Sequence, residues 1–258
     1  MKNKNKDLLI VIFAFLLVFQ SILIFFLLRK RIIIPRIKKA KIAIVIDDWG
    51  YNRRNLDFVK EVDFPVNLSI LPFLPHSKEI ANEAKSNNLE IILHLPLEPH
   101  EYRRVGLEKK MILTNMSQEK VNQIIEDALK SVPYCKGISN HMGSKATEDE
   151  GLMKIIFDEM KRKRLYFLDS FVTPESVCAE LSKKMKLKFA KRSIFLDNEA
   201  DPYYIRGQLM SLLDAAARDG QAIGIGHDRK LTLEIIKEFV PKIDKKKIEI
   251  VFVSDLVQ

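Results

Sequence analysis

Residues 41–50 read KIAIVIDDWG, an apolar run that ends in two adjacent aspartates. A near-continuous run of this kind is typical of a strand buried on both faces of a parallel sheet. Similar runs recur along the chain, separated by amphipathic stretches with helical spacing. They are residues 42–46, 66–71, 89–93, 136–139, 165–168, 193–196, 222–225 and 248–253. Strand alternating with helix predicts an α/β fold, built either as an open sheet or as a barrel.

Four sequence signals mark the ends of predicted helices. Thr173 followed by Pro174, and Asp201 followed by Pro202, are each typical of an N-cap with proline in the first turn. Gly220 is placed to end the helix that begins at Asp201. Thr147, with Glu150 three residues later, predicts a capping box ahead of the next apolar stretch.

Acidic residues and histidines follow six of the predicted strands. They are Asp47 and Asp48, His94, His141, Asp169, Asp197 and His227. In α/β folds the loops after the strands form one face, and that face carries the chemistry. A lone aspartate there commonly caps the next helix, which is the alternative for Asp169 and Asp197. Three of the chain's five histidines and a double aspartate in one such set indicate a functional site.

The paired aspartates favour a metal site. Two carboxylates in one pocket repel each other unless a cation lies between them. One of Asp47 and Asp48 can then bind a divalent metal, while the other stays free as a general base. His94 and His141 would complete a mixed nitrogen and oxygen site, which suits zinc first and also iron, cobalt or nickel. Glu98, four residues after His94, is a further candidate ligand.

The N-terminal segment predicts a membrane anchor. Residues 8–28 are almost wholly apolar, and about 20 helical residues cross a bilayer. Basic residues flank the segment and no A-x-A cleavage pattern follows it, so we expect an uncleaved helix within residues 1–30. Residues 31–41 then form a basic linker, and residues 42–258 form the catalytic domain. The flanking charges alone leave the orientation in the membrane open.

The composition narrows the range of partners. The formal net charge is +9, but the chain has no basic stripe interleaved with aromatic residues, which argues against nucleic acid. Solvated helix faces, or attraction to anionic lipid or to an acidic polymer, explain the charge more simply. The two cysteines are far apart and form no CxxC pair, so a zinc–thiolate site is not expected. No sequence feature identifies a protein partner.

Around the candidate site the chain resembles the divergent branch of the polysaccharide deacetylases. The resemblance covers about residues 41–258. The segments that carry it are IDDWG (46–50), HLPLEP (94–99), NHMGS (140–144), FLDS (167–170), FLDN (195–198) and IGH (225–227). The resemblance implies a deformed (β/α) barrel of about seven strands, preceded here by the transmembrane helix.

The resemblance also implies residue roles. Asp47 matches the general base, Asp48 and His94 match metal ligands, and His227 matches the general acid. Asp169 or Asp197 would orient His227. The implied substrate is an N-acetylated or otherwise acylated cell-envelope polysaccharide, which places the domain outside the cytoplasm.

Two segments depart from the parent family. Glu98 stands where that family has a second histidine, and the family's Arg-x-Pro-Tyr segment is absent. Residues 140–144 occupy roughly its place, so His141 is a substitute ligand. These departures keep two alternatives open: a barrel with reduced catalysis that binds glycan or a cell-wall protein, and a metallohydrolase of an ester or phosphoester bond.

Overall fold

The structure, a computed structural model, describes residues 2–31, 39–101 and 110–258. It divides into two compact units, Met1–Lys38 and Lys39–Gln258. The first unit contains helix α1 (Lys2–Arg31), whose stretch Leu8–Phe26 is long and apolar enough to cross a membrane. A signal sequence would share that property. Most of the predicted linker lies outside the described residues.

The second unit alternates strands and helices along the chain. Its elements are β1 (Ala40–Trp49), α2 (Leu56–Glu61), β2 (Asn67–Ile70), α3 (Ser77–Ser86), β3 (Glu90–Leu97), α4 (Gln118–Ser131), β4 (Gly137–Met142), α5 (Glu150–Lys163), β5 (Tyr166–Asp169), α6 (Cys178–Met185), β6 (Phe189–Lys191), β7 (Ile194–Phe195), α7 (Pro202–Asp219), β8 (Gln221–His227), α8 (Lys230–Phe239) and β9 (Ile248–Ile250). Short 3-10 turns occur at Ala146–Glu148, Val240–Lys242 and Val253–Asp255.

The strands form one curled parallel sheet in the order β6-β5-β4-β3-β2-β1-β8-β7, and β9 pairs with the start of β1. β6 and β7 are almost continuous in the chain, but β6 pairs with β5 and β7 pairs with β8. A short connection therefore joins β6 and β7, which are the two edge strands of the curled sheet. The predicted barrel-like α/β fold is confirmed, as a half-barrel with more strands than the expected seven.

Side-chain alternation along β1 divides the core into two layers. Ile42, Ile44 and Ile46 pack outward with residues of the surrounding helices. Ala43 and Val45 pack inside the curl. Each fully buried isoleucine or valine contributes about 1.5–3 kcal/mol. Because every buried residue of both layers belongs to the second unit, that unit carries its own core, and we expect it to fold without α1.

The end of the chain fills the base of the curl. Val253 and Leu256 join the inner layer and are fully or almost fully buried. The Val253 amide donates to Asn67 Oδ1 at 3.0 Å, and the Ser254 amide donates to Glu90 Oε1 at 3.0 Å. These bonds connect the last segment to the first residues of β2 and β3.

Two of the four predicted helix signals agree with the structure. The Asp201 carboxylate accepts a hydrogen bond from the amide three residues later at 2.7 Å, and Gly220 ends α7 with φ of +82°. The predicted N-cap at Thr173 is wrong, because α6 begins only at Cys178. The predicted capping box at Thr147 is also wrong. A 3-10 turn intervenes, so α5 begins at Glu150 and its N-cap is Asp149.

Candidate metal centre

A local irregularity at the end of β1 places both aspartates near His94. The register with β2 shifts between Ile46 and Trp49, and Asp48 adopts the left-handed conformation with φ of +67°. Aspartate tolerates this conformation better than most side chains. Instead of pointing to opposite faces, Asp47 Oδ2 and Asp48 Oδ1 lie 3.6 and 3.4 Å from His94 Nε2.

Three side chains converge closely enough to hold one metal ion. Asp48 Oδ1 lies 3.1 Å from His141 Nδ1, and His141 Nδ1 lies 3.2 Å from His94 Nε2. A tetrahedral ion with bonds of about 2.0–2.1 Å separates its ligand atoms by about 3.3 Å. The spacing of Asp48, His94 and His141 therefore fits a divalent metal with nitrogen and oxygen ligands.

A pair of serines orients the His94 ring. His94 Nδ1 lies 2.8 Å from Ser139 Oγ, and Ser139 Oγ lies 2.8 Å from Ser69 Oγ. If the Nδ1 proton is donated to Ser139, the Nε2 lone pair is left to face the ligand cluster. His94 was predicted to follow its strand but lies within it, since β3 continues to Leu97. The last residues of the other strands likewise include Asp47, Asp48, His141 and His227. The parallel register places His94 opposite Ser139 on β4.

Asp47 and Asp48 differ in their electrostatics. Burial raises the pKa of Asp47, and the charge of Asp48 adds to that shift against the opposing effect of His94. Burial also acts on Asp48, but the adjacent His141 and His94 side chains outweigh it and hold the pKa of Asp48 well below its ordinary value. Asp47 Oδ1 and Asp48 Oδ1 are both buried without a hydrogen-bond partner among the described residues. The two carboxylates are therefore suited to different tasks.

His227 and Asp197 form a second polar group at the same end of the strands. His227 Nδ1 lies 2.7 Å from Asp197 Oδ1. Asp197 Oδ2 accepts bonds from the His227 amide at 3.0 Å and from Thr232 Oγ1 at 2.7 Å. Burial alone would lower the pKa of His227, but the bond and charge of Asp197 raise it above the ordinary value. Asp197 thus contacts His227 rather than capping a helix.

Asp169 and Glu98 are not part of the metal cluster. Asp169 accepts hydrogen bonds from Ser176 Oγ at 2.7 Å and from a backbone amide two residues later at 2.8 Å, which shapes the loop after β5. Glu98 accepts from Lys145 Nζ at 2.7 Å and from the amide and hydroxyl of Thr114 at 2.6 and 2.8 Å. His141 therefore supplies the third ligand atom of the candidate centre, and Glu98 connects two loops.

Several residues around the centre were missed from the sequence. Ser69 and Ser139 interrupt otherwise apolar strands, and that interruption is the signal that would have identified them. Asp228 directly follows His227 and accepts from Asn55 Nδ2 at 2.6 Å. Burial, with a smaller effect from the charge of Asp48, raises the pKa of Asp228.

Comparison with known proteins places the chain in a family. The model of the divergent polysaccharide deacetylases matches residues 44–257. The protein YibQ of Escherichia coli is 35% identical over 201 residues, which span 78% of this chain and 62% of YibQ.

Solved structures share the fold. A protein from Agrobacterium tumefaciens superposes with a TM-score of 0.81 at 21% identity, over 85% of this chain and 90% of that chain. The catalytic domain of a peptidoglycan N-acetylglucosamine deacetylase from Eubacterium rectale superposes with a TM-score of 0.51 at 10% identity, over 83% and 88% of the two chains. The match of the family model to residues 44–257 shows that the chain belongs to the divergent polysaccharide deacetylase family.

Proposed function

We propose that the second unit is a metal-dependent hydrolase that removes an acyl group, most simply acetyl, from an amino sugar of a cell-envelope polysaccharide. The observation that carries the proposal is the convergence of Asp48, His94 and His141 beside the buried carboxylate of Asp47. Membership of the divergent polysaccharide deacetylase family supports an acetylated sugar as the substrate.

Asp48, His94 and His141 would hold the metal through one oxygen and two nitrogen atoms. A divalent metal, with zinc as the first expectation, activates water and polarises the acyl carbonyl when bound. The hydrogen bond that His94 Nδ1 donates to Ser139 fixes the ring that presents Nε2, as outer contacts do in other metal sites. Three protein ligands leave room for water and substrate.

Asp47 is the proposed general base. Its carboxylate is buried next to the ligand cluster, and its Oδ1 has no hydrogen-bond partner among the described residues. Burial raises the pKa of Asp47, which strengthens the carboxylate as a proton acceptor from the attacking water.

His227 is the proposed general acid. Its Nδ1 is held by Asp197, so Nε2 is the nitrogen available to donate a proton to the leaving amine. The raised pKa of His227 keeps a larger fraction of the imidazole protonated near neutral pH. Asp169 has no contact with His227 among those observed, and its proposed contribution is to shape the loop beside the site.

For the whole chain we propose that residues 1–30 anchor the enzyme, residues 31–41 link it and residues 42–258 act outside the cytoplasm. The apolar helix and the location of the proposed polymer support this arrangement. Protease treatment of intact cells, or of cells whose outer layer is opened, should digest residues 42–258. Full protection of that part would refute the placement.

Metal content and acetate release test the function. Elemental analysis of the purified chain should find about one metal ion per molecule, and Asp48→Ala and His94→Ala should lose it. Asp47→Asn should keep the metal and lose nearly all acetate release from acetylated chitooligosaccharides or peptidoglycan fragments. It is the matched control, because it removes a charge beside the cluster without removing a ligand.

The same assays distinguish the proposed deacetylase from a binding module and from a hydrolase of another bond. Glu98 in place of the family's second histidine motivates a binding module with reduced catalysis. Stoichiometric metal with no reaction on any acetylated glycan, together with glycan binding, would favour that module. Turnover of esters or phosphoesters that depends on Asp47, without acetate release from glycans, would favour a hydrolase of another bond.

A further inference from the structure

The second unit separates its charges between the two ends of its strands. At the amino ends, the helix ends and turns that lead into several strands are basic. Residues 161–164 read KRKR before β5, residues 183–188 read KKMKLK before β6, and residues 245–247 read KKK before β9. Lys39 and Lys41 flank the first residue of β1 at the same end. We call the surface formed by these residues the basal face.

The opposite end of the strands carries the acidic residues of the candidate site, Asp47, Asp48, Asp169, Asp197 and Asp228. Among the described residues, Arg162, Lys163 and Lys184 of the basal face pair with nearby glutamates, while most of its other positive charge has no ion-pair partner. The side chains of Lys186, Lys188 and residues 245–247 are exposed, and within the described part of the chain they form no ion pair. A unit with this distribution of charge orients its basal face towards an anionic surface.

A cleft in the basal face adds an apolar component. It has a volume of about 640 Å³ and lies between the start of β6 and the start of β8. Lys183, Lys186 and Lys188 line it together with the apolar side chains of Phe189 and Ile223. Ammonium groups around an apolar wall fit an anionic amphiphile better than a wholly polar polyanion.

We propose that the basal face binds the anionic headgroups of a lipid bilayer, with a lipid headgroup seated in the cleft. The order of elements supports lipid as the partner, because the chain enters the basal face at Ala40, shortly after the candidate membrane span of α1. The mouth that holds Asp48, His94 and His141 then faces away from the lipid, towards a polymer substrate. Lipid binding is independent of whether the deacetylase reaction occurs.

Vesicle binding by residues 39–258 tests the proposal without α1, since this unit carries its own core. The protein should sediment with vesicles that contain phosphatidylglycerol and not with pure phosphatidylcholine. High salt should release it, because the screening length falls from about 10 Å at 0.1 M to about 3 Å at 1 M. Equal binding to both vesicles, or no binding to either at low salt, overturns the proposal.

Charge reversal locates the binding surface. The triple variant Lys245→Glu, Lys246→Glu and Lys247→Glu should weaken binding to anionic vesicles by about a hundredfold or more. Lys186→Glu, which lies in the cleft, should also weaken binding to anionic vesicles. Thermal unfolding of each variant should match that of the parent, since these side chains are exposed.

The matched control reverses three exposed lysines at the opposite end of the strands, Lys78, Lys120 and Lys230, which lie in the first turns of α3, α4 and α8. This variant has the same net charge as the first but should keep most of its vesicle binding. If both triple variants lose binding equally, only net charge matters and the basal face is not the binding surface. If poly-glutamate or heparin binds the basal face and anionic vesicles do not, the partner is an acidic polymer and the lipid assignment is wrong.

Discussion

At the residue scale, two adjacent aspartates acquire different properties from their surroundings. The two histidines beside Asp48 hold its pKa well below the ordinary value, whereas burial raises the pKa of Asp47. The sequence predicted that one would bind metal and one would stay free. Geometry favours Asp48 as the ligand, because its Oδ1 contacts both His94 and His141.

The contact between Asp197 and His227 predicts a shift in the pH dependence of activity. Because Asp197 raises the pKa of His227, the protonated acid persists to higher pH, and activity is lost as pH rises through that raised pKa. In Asp197→Asn the pKa of His227 should fall, so the alkaline limb of kcat/KM should move to lower pH. Thr232→Val, which removes only one bond to Asp197, should move it less. An unchanged alkaline limb in both variants would remove His227 from the acid role.

The hydroxyl of Ser139 predicts a change in metal affinity. Ser139→Ala leaves His94 Nδ1 without its observed partner, and loss of an outer contact typically weakens metal binding by about 10–100-fold. Titration with a competing chelator measures the affinity directly. Ser69→Ala, one bond further from the ring, should have a smaller effect. Equal affinities for the wild type and Ser139→Ala would show that the serine does not orient the ligand.

At the element scale, the ends of helix α7 were predicted correctly, but strands were predicted less well. Asp201 and Gly220 limit α7 as expected, because a cap depends on residues only a few positions apart. β6 was missed because three residues are too few to show a periodic pattern. β3 continues past His94 because its pairing with β4 continues to Leu97, and such pairing is not encoded within either strand.

One glycine inside α7 and one at its C-cap lead to two stability predictions of opposite sign. Gly220 has φ of +82° and open space around it, so Gly220→Ala should destabilise the unit by about 1 kcal/mol through backbone strain alone. Gly207 lies inside the same helix, also with open space, and Gly207→Ala should stabilise by about 0.5–1 kcal/mol. Chemical denaturation measures both. Changes of the same sign would contradict the explanation by backbone conformation.

At the scale of the whole molecule, the half-barrel depends on its last residues. Leu256 is 2% exposed and packs inside the curl with residues from β1 and β8. Residues at the end of the chain therefore contribute to the same core layer as the first strand, and we expect the second unit to unfold cooperatively.

The packing of Leu256 predicts a large loss of stability when its side chain is shortened to that of alanine. Leu256→Ala should lower the free energy of unfolding by about 2–5 kcal/mol, whereas the volume-conserving Leu256→Met should cost less than about 1.5 kcal/mol. Denaturant titration of the unit measures both values. A loss below about 1 kcal/mol in Leu256→Ala would show that the final segment is not an integral part of the core.

Local patterns in the sequence determined the α/β class, the apolar N-terminal helix and the set of acids and histidines near the carboxyl ends of the strands. These features depend on residues that are close together in the chain, so spacing and composition reveal them. Only the tertiary structure decided that His141, and not Glu98, joins Asp48 and His94, and that Asp197, and not Asp169, contacts His227. Those choices depend on strand register, on the irregularity at Asp48 and on loops that give Glu98 and Asp169 other partners, and these contacts join residues far apart in the chain.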